Sequence, residues 1–83
     1  MLNLRGSDIR LKRDITRTGT SPSGVPTYRF RYRADGARGP LYRGTMAQDL
    51  LAMGRGDAVH VDRATCMLSV DYGALDVDFT LLL

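Results

Sequence analysis

Residues Thr27 to Arg33 read TYRFRYR, with Tyr28, Phe30 and Tyr32 at alternate positions and Arg29, Arg31 and Arg33 between them. Successive side chains of a strand point to opposite faces, so this period-two pattern in aromatic residues predicts a half-buried strand and excludes a helix. A lone strand is not stable in water, and its partners must lie nearby in the chain. Residues 18–26, TGTSPSGVP, have the composition of a turn or loop. Asp35-Gly36 opens a second loop running to Pro40, after which Leu41 to Gly44 can return as a neighbouring strand.

Thr45 begins the best helical stretch. It is expected to be the N-cap, with Gln48 three residues on as its capping-box partner, and Met46, Leu50 and Met53 then share one face of a helix over 46–53. Gly54 or Gly56 stops it. Two turns of helix do not hold in isolation, so tertiary packing must support this segment. Val59 and Val61 suggest a short strand, Asp62 to Thr65 a turn, and Cys66 to Val70 its hairpin partner, with Cys66 in the core. From Asp71 to Leu83, the positions Leu75, Val77, Phe79, Leu81 and Leu83 alternate with Asp76, Asp78 and Thr80, and propensity favours strand over helix there. The final Leu81, Leu82 and Leu83 pack on the core or form a subunit contact. Together these elements predict one α+β domain: a small, mostly antiparallel sheet with one short helix, residues 1–6 being a leader and 7–83 the domain.

Eighty-three residues make one domain with a modest core. Eleven of the twelve basic residues are Arg, all nine acids are Asp, and the net charge is +3. Scarce Glu and Lys argue against a long exposed helix or coiled coil. One cysteine forms no internal disulfide, and no apolar run reaches the ~20 residues of a membrane span. MLNLRGSDIR has no apolar signal-peptide core. The chain is therefore expected to be soluble and made in the cytosol, with no membrane partner.

Few residues carry chemistry. A serine such as Ser7 becomes a nucleophile when a base takes its proton, and a buried lysine such as Lys12 can be that base. A spacing of five suits neither a helix face nor one side of a strand, so a bend must separate them if they are to meet. His60, alone, makes no metal cluster, and Asp76 with Asp78 reads as a solvated pair. Gly54-Arg55-Gly56 is too short for a phosphate loop. No cofactor and no metal are expected. Arg29, Arg31 and Arg33, with Arg10, Lys12, Arg13 and Arg17 nearby, are the candidate phosphate contacts of a nucleic-acid-binding module. The aromatic residues point away from these arginines, which weakens that reading.

Three stretches add a resemblance. Ser7 to Ile15, SDIRLKRDI, is similar to the opening signature of the intramolecular chaperone of endosialidase family, found at the C-terminus of phage tail fibres and tailspikes. Gly44 to Leu51, GTMAQDLL, and Ser69 to Leu75, SVDYGAL, resemble two later segments of that family, in the same order. Tyr28 to Tyr32 corresponds to an aromatic strand between them.

The resemblance implies a homotrimeric module, in the cytoplasm of a bacterial host or associated with the virion, that helps a fibre or tailspike client assemble and then releases itself by autoproteolysis. Ser7 matches the nucleophile and Lys12 the general base of a Ser-Lys serine peptidase, with the cut at the Ser7 peptide bond on a side that sequence leaves open. Asp8 and Arg10 match fixed, structural positions. The chain departs from the family between Ile15 and Tyr28, where many relatives carry a helix, and after Leu75, where a long helix usually follows. Two alternatives therefore stand beside the chaperone: a non-cleaving protein-interaction domain, and a small basic nucleic-acid-binding module using Arg29, Arg31 and Arg33.

Overall fold

A computed structural model describes residues 3–83 and shows an α+β fold: two antiparallel sheets and one short helix. Met1 and Leu2, the first two residues of the expected leader, lie outside the described residues. The next part of that leader is built into the fold. Leu4–Gly6 is strand β1, paired antiparallel with β6 (Leu68–Asp71) in the register Leu4 opposite Asp71 and Gly6 opposite Ser69. Strand β5 (Val59–Val61) pairs with the other edge of β6, giving the order β1-β6-β5.

The second sheet has the order β2-β3-β4-β7. Its centre is β3 (Pro26–Tyr32), the alternating aromatic segment. Phe30 is fully buried and Arg29 is exposed, as the alternation requires. Strand β2 (Lys12–Thr20) runs back along β3, with Lys12 directly opposite Tyr32. A bulge follows Arg13, where Asp14 adopts φ 53°. Bulges at sheet edges twist the exposed strand and discourage edge-to-edge association. On the far side, β4 (Tyr42–Gly44) pairs with β3, and β7 (Thr80–Leu81) with β4.

Helix α1 spans Ala47–Ala52 and packs against β5 and β6. Leu50 and Ala47 enter a core with Val25, Ala58, Val70, Tyr72 and Val77. The rings of Phe30, Tyr42, Phe79 and Tyr72 continue that core between the sheets, the Tyr42–Phe79 pair stacking at 5.0 Å and Tyr72 meeting Phe79 edge-on at 5.5 Å.

Several local expectations are corrected. Ile9–Leu11 is a single 3-10 turn, not strand, because the Asp8 carboxylate accepts from the Arg10 backbone N–H and caps it. Thr45 is not a helix cap. Its hydroxyl donates to the Pro26 carbonyl at 2.8 Å, and Met46 occupies the cap position without a side-chain bond. Met53 lies outside the core, 41% exposed, while Ala47 takes the inward position. Gly54 does end the helix, with φ 78° and the Arg55 N–H bonded back to the Leu50 carbonyl. Cys66 is exposed and sits in the β5–β6 turn at φ 60°, its N–H donating to the Asp62 carbonyl. The tail is strand only at Thr80–Leu81; Tyr72–Ala74 turns, and Val77 is pinned in the core while the Asp76 carboxylate accepts from Ser23 N–H and hydroxyl. Leu81 and Leu83 are 62% and 81% exposed. Among the described residues no helix is long and apolar enough to cross a membrane.

Candidate active site around Ser7

The turn at Ile9–Leu11 is the bend that a Ser7–Lys12 pair requires. It joins the end of β1 in one sheet to the start of β2 in the other, and Ser7 and Lys12 on either side of it are completely buried. Ser7 is anchored on both sides of its α-carbon. Its N–H donates to the Leu68 carbonyl at 3.0 Å, and its carbonyl accepts from the Ala47 N–H at 2.9 Å. The hydroxyl meets Tyr72 Oη at 3.1 Å.

Lys12 is the chain's only lysine. Its ammonium nitrogen donates to the Thr45 carbonyl at 2.8 Å, contacts Met46 Sδ at 3.6 Å and lies 3.9 Å from the centre of the Phe30 ring. No carboxylate hydrogen-bonds it among the described residues. Burial without a paired anion disfavours the charged form and lowers its pKa from 10.5 to about 7, with the Asp8 charge opposing the shift. A lysine in that state is a competent proton acceptor near neutral pH.

Ser7 and Lys12 are not in direct hydrogen-bond contact. They meet through Tyr72 and Thr45. Tyr72 Oη accepts from the Thr45 N–H at 2.9 Å and lies 3.5 Å from the Thr45 carbonyl oxygen, the atom that Lys12 also binds. Burial raises the Tyr72 pKa, which keeps its proton in place as a hydrogen-bond donor. The Tyr72 hydroxyl therefore holds Ser7, and the Thr45 carbonyl is the atom that Tyr72 and Lys12 share. The close passage of Gly44 makes room for the hydroxyl, since a side chain there would run into Tyr72 Oη and against Phe30.

Asp8 organises the surroundings. Fully buried, its carboxylate accepts from Arg10 Nε at 3.0 Å and Nη2 at 2.7 Å, from Gln48 Nε2 at 2.9 Å and from the Leu68 N–H at 3.1 Å. The Arg10 guanidinium holds this carboxyl well below the usual carboxylate range, and the backbone and Gln48 donors act in the same direction. Gln48, placed by sequence in a capping box, instead clamps this turn: its carbonyl oxygen accepts from the Ile9 N–H at 2.9 Å. Arg10 also reaches the Cys66 carbonyl at 3.0 Å.

The stretches 7–15, 44–51 and 69–75 thus converge on one point, Ser7 touching Ala47 and Tyr72, Asp8 touching Gln48, and Lys12 touching Thr45. Tyr72, Thr45 and Gln48 were not singled out as functional by sequence reasoning. The available signal was a tyrosine within SVDYGAL: a buried tyrosine needs a partner for its hydroxyl.

Other candidates lie elsewhere. His60 sits on β5 opposite Ser69. Asp76 is taken by Ser23, and among the described residues no three His, Cys, Asp or Glu side chains gather as metal ligands. Arg29 lies opposite Arg43, and Arg13 opposite Arg31, on the open face of the second sheet. Asp14 bridges part of that charge, 3.2 Å from Arg13 and 3.8 Å from Arg31. The tyrosines beside these arginines are committed inward, Tyr28 donating to Asp49 at 2.5 Å and Tyr32 to the Gly6 carbonyl at 2.7 Å. No family model, curated protein or solved structure matches this chain.

Proposed function

We propose that this chain is an intramolecular chaperone module of the tail-fibre type, which associates with copies of itself and cuts its own backbone at the Gly6–Ser7 bond. The observation that carries the reading is the convergence, around one buried serine, of the three separate stretches on which the resemblance rests. A buried serine, a tyrosine and a buried lysine that no carboxylate among the described residues hydrogen-bonds suit nucleophilic chemistry better than stability, because burying a lysine without a counter-ion is costly.

Simple ring geometry selects the bond. Attack by Ser7 Oγ on its own carbonyl would close a four-membered ring, whereas attack on the preceding carbonyl closes a five-membered one. In the step we assign, Ser7 Oγ bonds to the Gly6 carbonyl carbon while its proton is taken by the neutral Lys12 amine, which a rotation of the lysine side chain off the Thr45 carbonyl brings to Ser7. The tetrahedral intermediate then expels the Ser7 nitrogen, which takes the proton back from Lys12 and becomes an amine. Water hydrolyses the resulting ester, leaving a Gly6 carboxylate and restoring the Ser7 hydroxyl.

The nucleic-acid reading is the weaker one. Its arginine face is open, but Tyr28 and Tyr32 are engaged within the fold and offer no stacking surface.

The test is intact mass of the whole chain over time, beside Ser7→Ala, with sedimentation to give the oligomeric state. Loss of residues 1–6 from wild type but not from Ser7→Ala supports the proposal. An uncut wild type at all concentrations, including those where it is oligomeric, removes self-cleavage and leaves an interaction domain.

A further inference from the structure

We infer that the Tyr32 hydroxyl is the oxyanion donor for the cut at Gly6–Ser7, an assignment that rests on the self-cleavage reading above. Of the two carbonyls flanking Ser7, the Gly6 carbonyl is the one a five-membered transition state attacks, and Tyr32 Oη donates to it at 2.7 Å. Negative charge develops on that oxygen as the carbon becomes tetrahedral. The oxygen moves little in doing so, and a donor already in contact stays in contact. A preorganised donor aimed at such charge stabilises it without the reorganisation that water requires.

Three features make Tyr32 suited to this task. Its ring is held rigidly, edge-on to Phe30 and to Tyr42 at 5.5 Å each and 6.4 Å from Phe79. It stands directly across the β2–β3 ladder from Lys12, so one pair of strands fixes base and donor side by side on the same face of the sheet. Burial pushes its pKa upward, so it keeps its proton across the working pH range. The donor is also separate from the nucleophile's own network, since Ser7 Oγ bonds Tyr72 and not Tyr32. Nothing in the alternation of TYRFRYR asks for a hydroxyl at position 32, where a phenylalanine would bury equally well. A serine whose N–H is already bound to Leu68 leaves the Gly6 oxygen as the polar atom of the scissile bond that Tyr32 serves.

The experiment follows loss of residues 1–6 by intact mass in the full chain, comparing wild type, Ser7→Ala, Tyr32→Phe and the protein carrying 3-fluorotyrosine at position 32. Tyr32→Phe is expected to slow the cut by about 10²–10³-fold, with the rise of rate with pH set by Lys12 left in place. The fluorinated ring keeps the shape and hydroxyl with a more acidic proton, and is expected to cut at least as fast as wild type. It also guards against a phenylalanine variant that fails to fold, which circular dichroism would reveal. If Tyr32→Phe folds and cuts within about threefold of wild type, or if the fluorinated protein is as slow as Tyr32→Phe, the oxyanion assignment is overturned while self-cleavage stands. If wild type itself never cuts, the underlying reading fails and this assignment goes with it.

Discussion

Lys12 Nζ donates to the Thr45 carbonyl at 2.8 Å from a completely buried position, and the carbonyl is its strongest polar partner. A backbone carbonyl carries only a partial charge. It satisfies an N–H without repaying the desolvation of an ammonium ion, and the lysine pKa falls to about 7 in consequence.

Stability is expected to rise with pH from about 7 to 10.5. In that window the unfolded chain holds a proton on Lys12 that the folded chain lacks, so each added pH unit favours folding by up to about 1.4 kcal/mol. Below about 7 both states hold the proton and the slope from this residue vanishes. Urea unfolding of wild type and Lys12→Met across that range is the check. The variant should lose the slope and, near pH 7, gain about 2 kcal/mol. A wild-type curve flat from 7 to 10.5 would show that Lys12 stays charged in the fold.

Self-cleavage has its own pH signature. Lys12 accepts a proton only when neutral, so the rate should climb through about pH 7 and level off above it. A rate that is constant from pH 5 to 9, measured by intact mass, would exclude Lys12 as the base.

Asp8→Ala should destabilise the fold by roughly 3 kcal/mol, since it strips the Leu68 N–H, Gln48 and Arg10 of their shared acceptor. The same carboxylate predicts acid sensitivity. Its folded pKa is depressed, so its contribution is present above its ordinary value of 3.8 and is lost as pH falls below that. Thermal melts of wild type and variant at pH 7 and pH 3 should therefore differ less at the lower pH. An equal gap at both values would mean that Asp8 acts by packing alone.

Gly44→Ala places a methyl group against Tyr72 Oη, which Ser7 and the Thr45 N–H hold in place. Overpacking there should cost about 1–3 kcal/mol and slow any cut by moving Tyr72 off Ser7. A variant as stable and as active as wild type would show that Tyr72 is free to shift.

Cys66→Gly tests the β5–β6 turn. Cys66 holds φ 60° with its side chain exposed, a conformation that glycine adopts without strain. The substitution should raise stability by up to about 1 kcal/mol, read as a higher urea midpoint. A lower midpoint would mean that the thiol makes a favourable contact in the turn.

What the sequence by itself determined was local and periodic. The alternation of TYRFRYR set which side of β3 is buried, because strand geometry leaves side chains no other choice. Gly54 ended the helix because its backbone conformation suits glycine. The resemblance of SDIRLKRDI pointed to Ser7 and Lys12, and their spacing of five required a bend between them. Only the tertiary structure decided what those side chains meet. Thr45 and Gln48 had sound local reasons to cap a helix, and Cys66 to be buried. Partners 19 and 40 residues away claimed the first two, and a left-handed turn exposed the third. The bonds that make the site, Ser7 to Tyr72 and Lys12 to Thr45, span 65 and 33 residues. Pairings that distant depend on strand order and register, which periodicity along one segment does not encode. The neutral tendency of Lys12 is likewise a property of the packed whole, since it arises from Phe30, Met46 and Thr45 closing over the ammonium together.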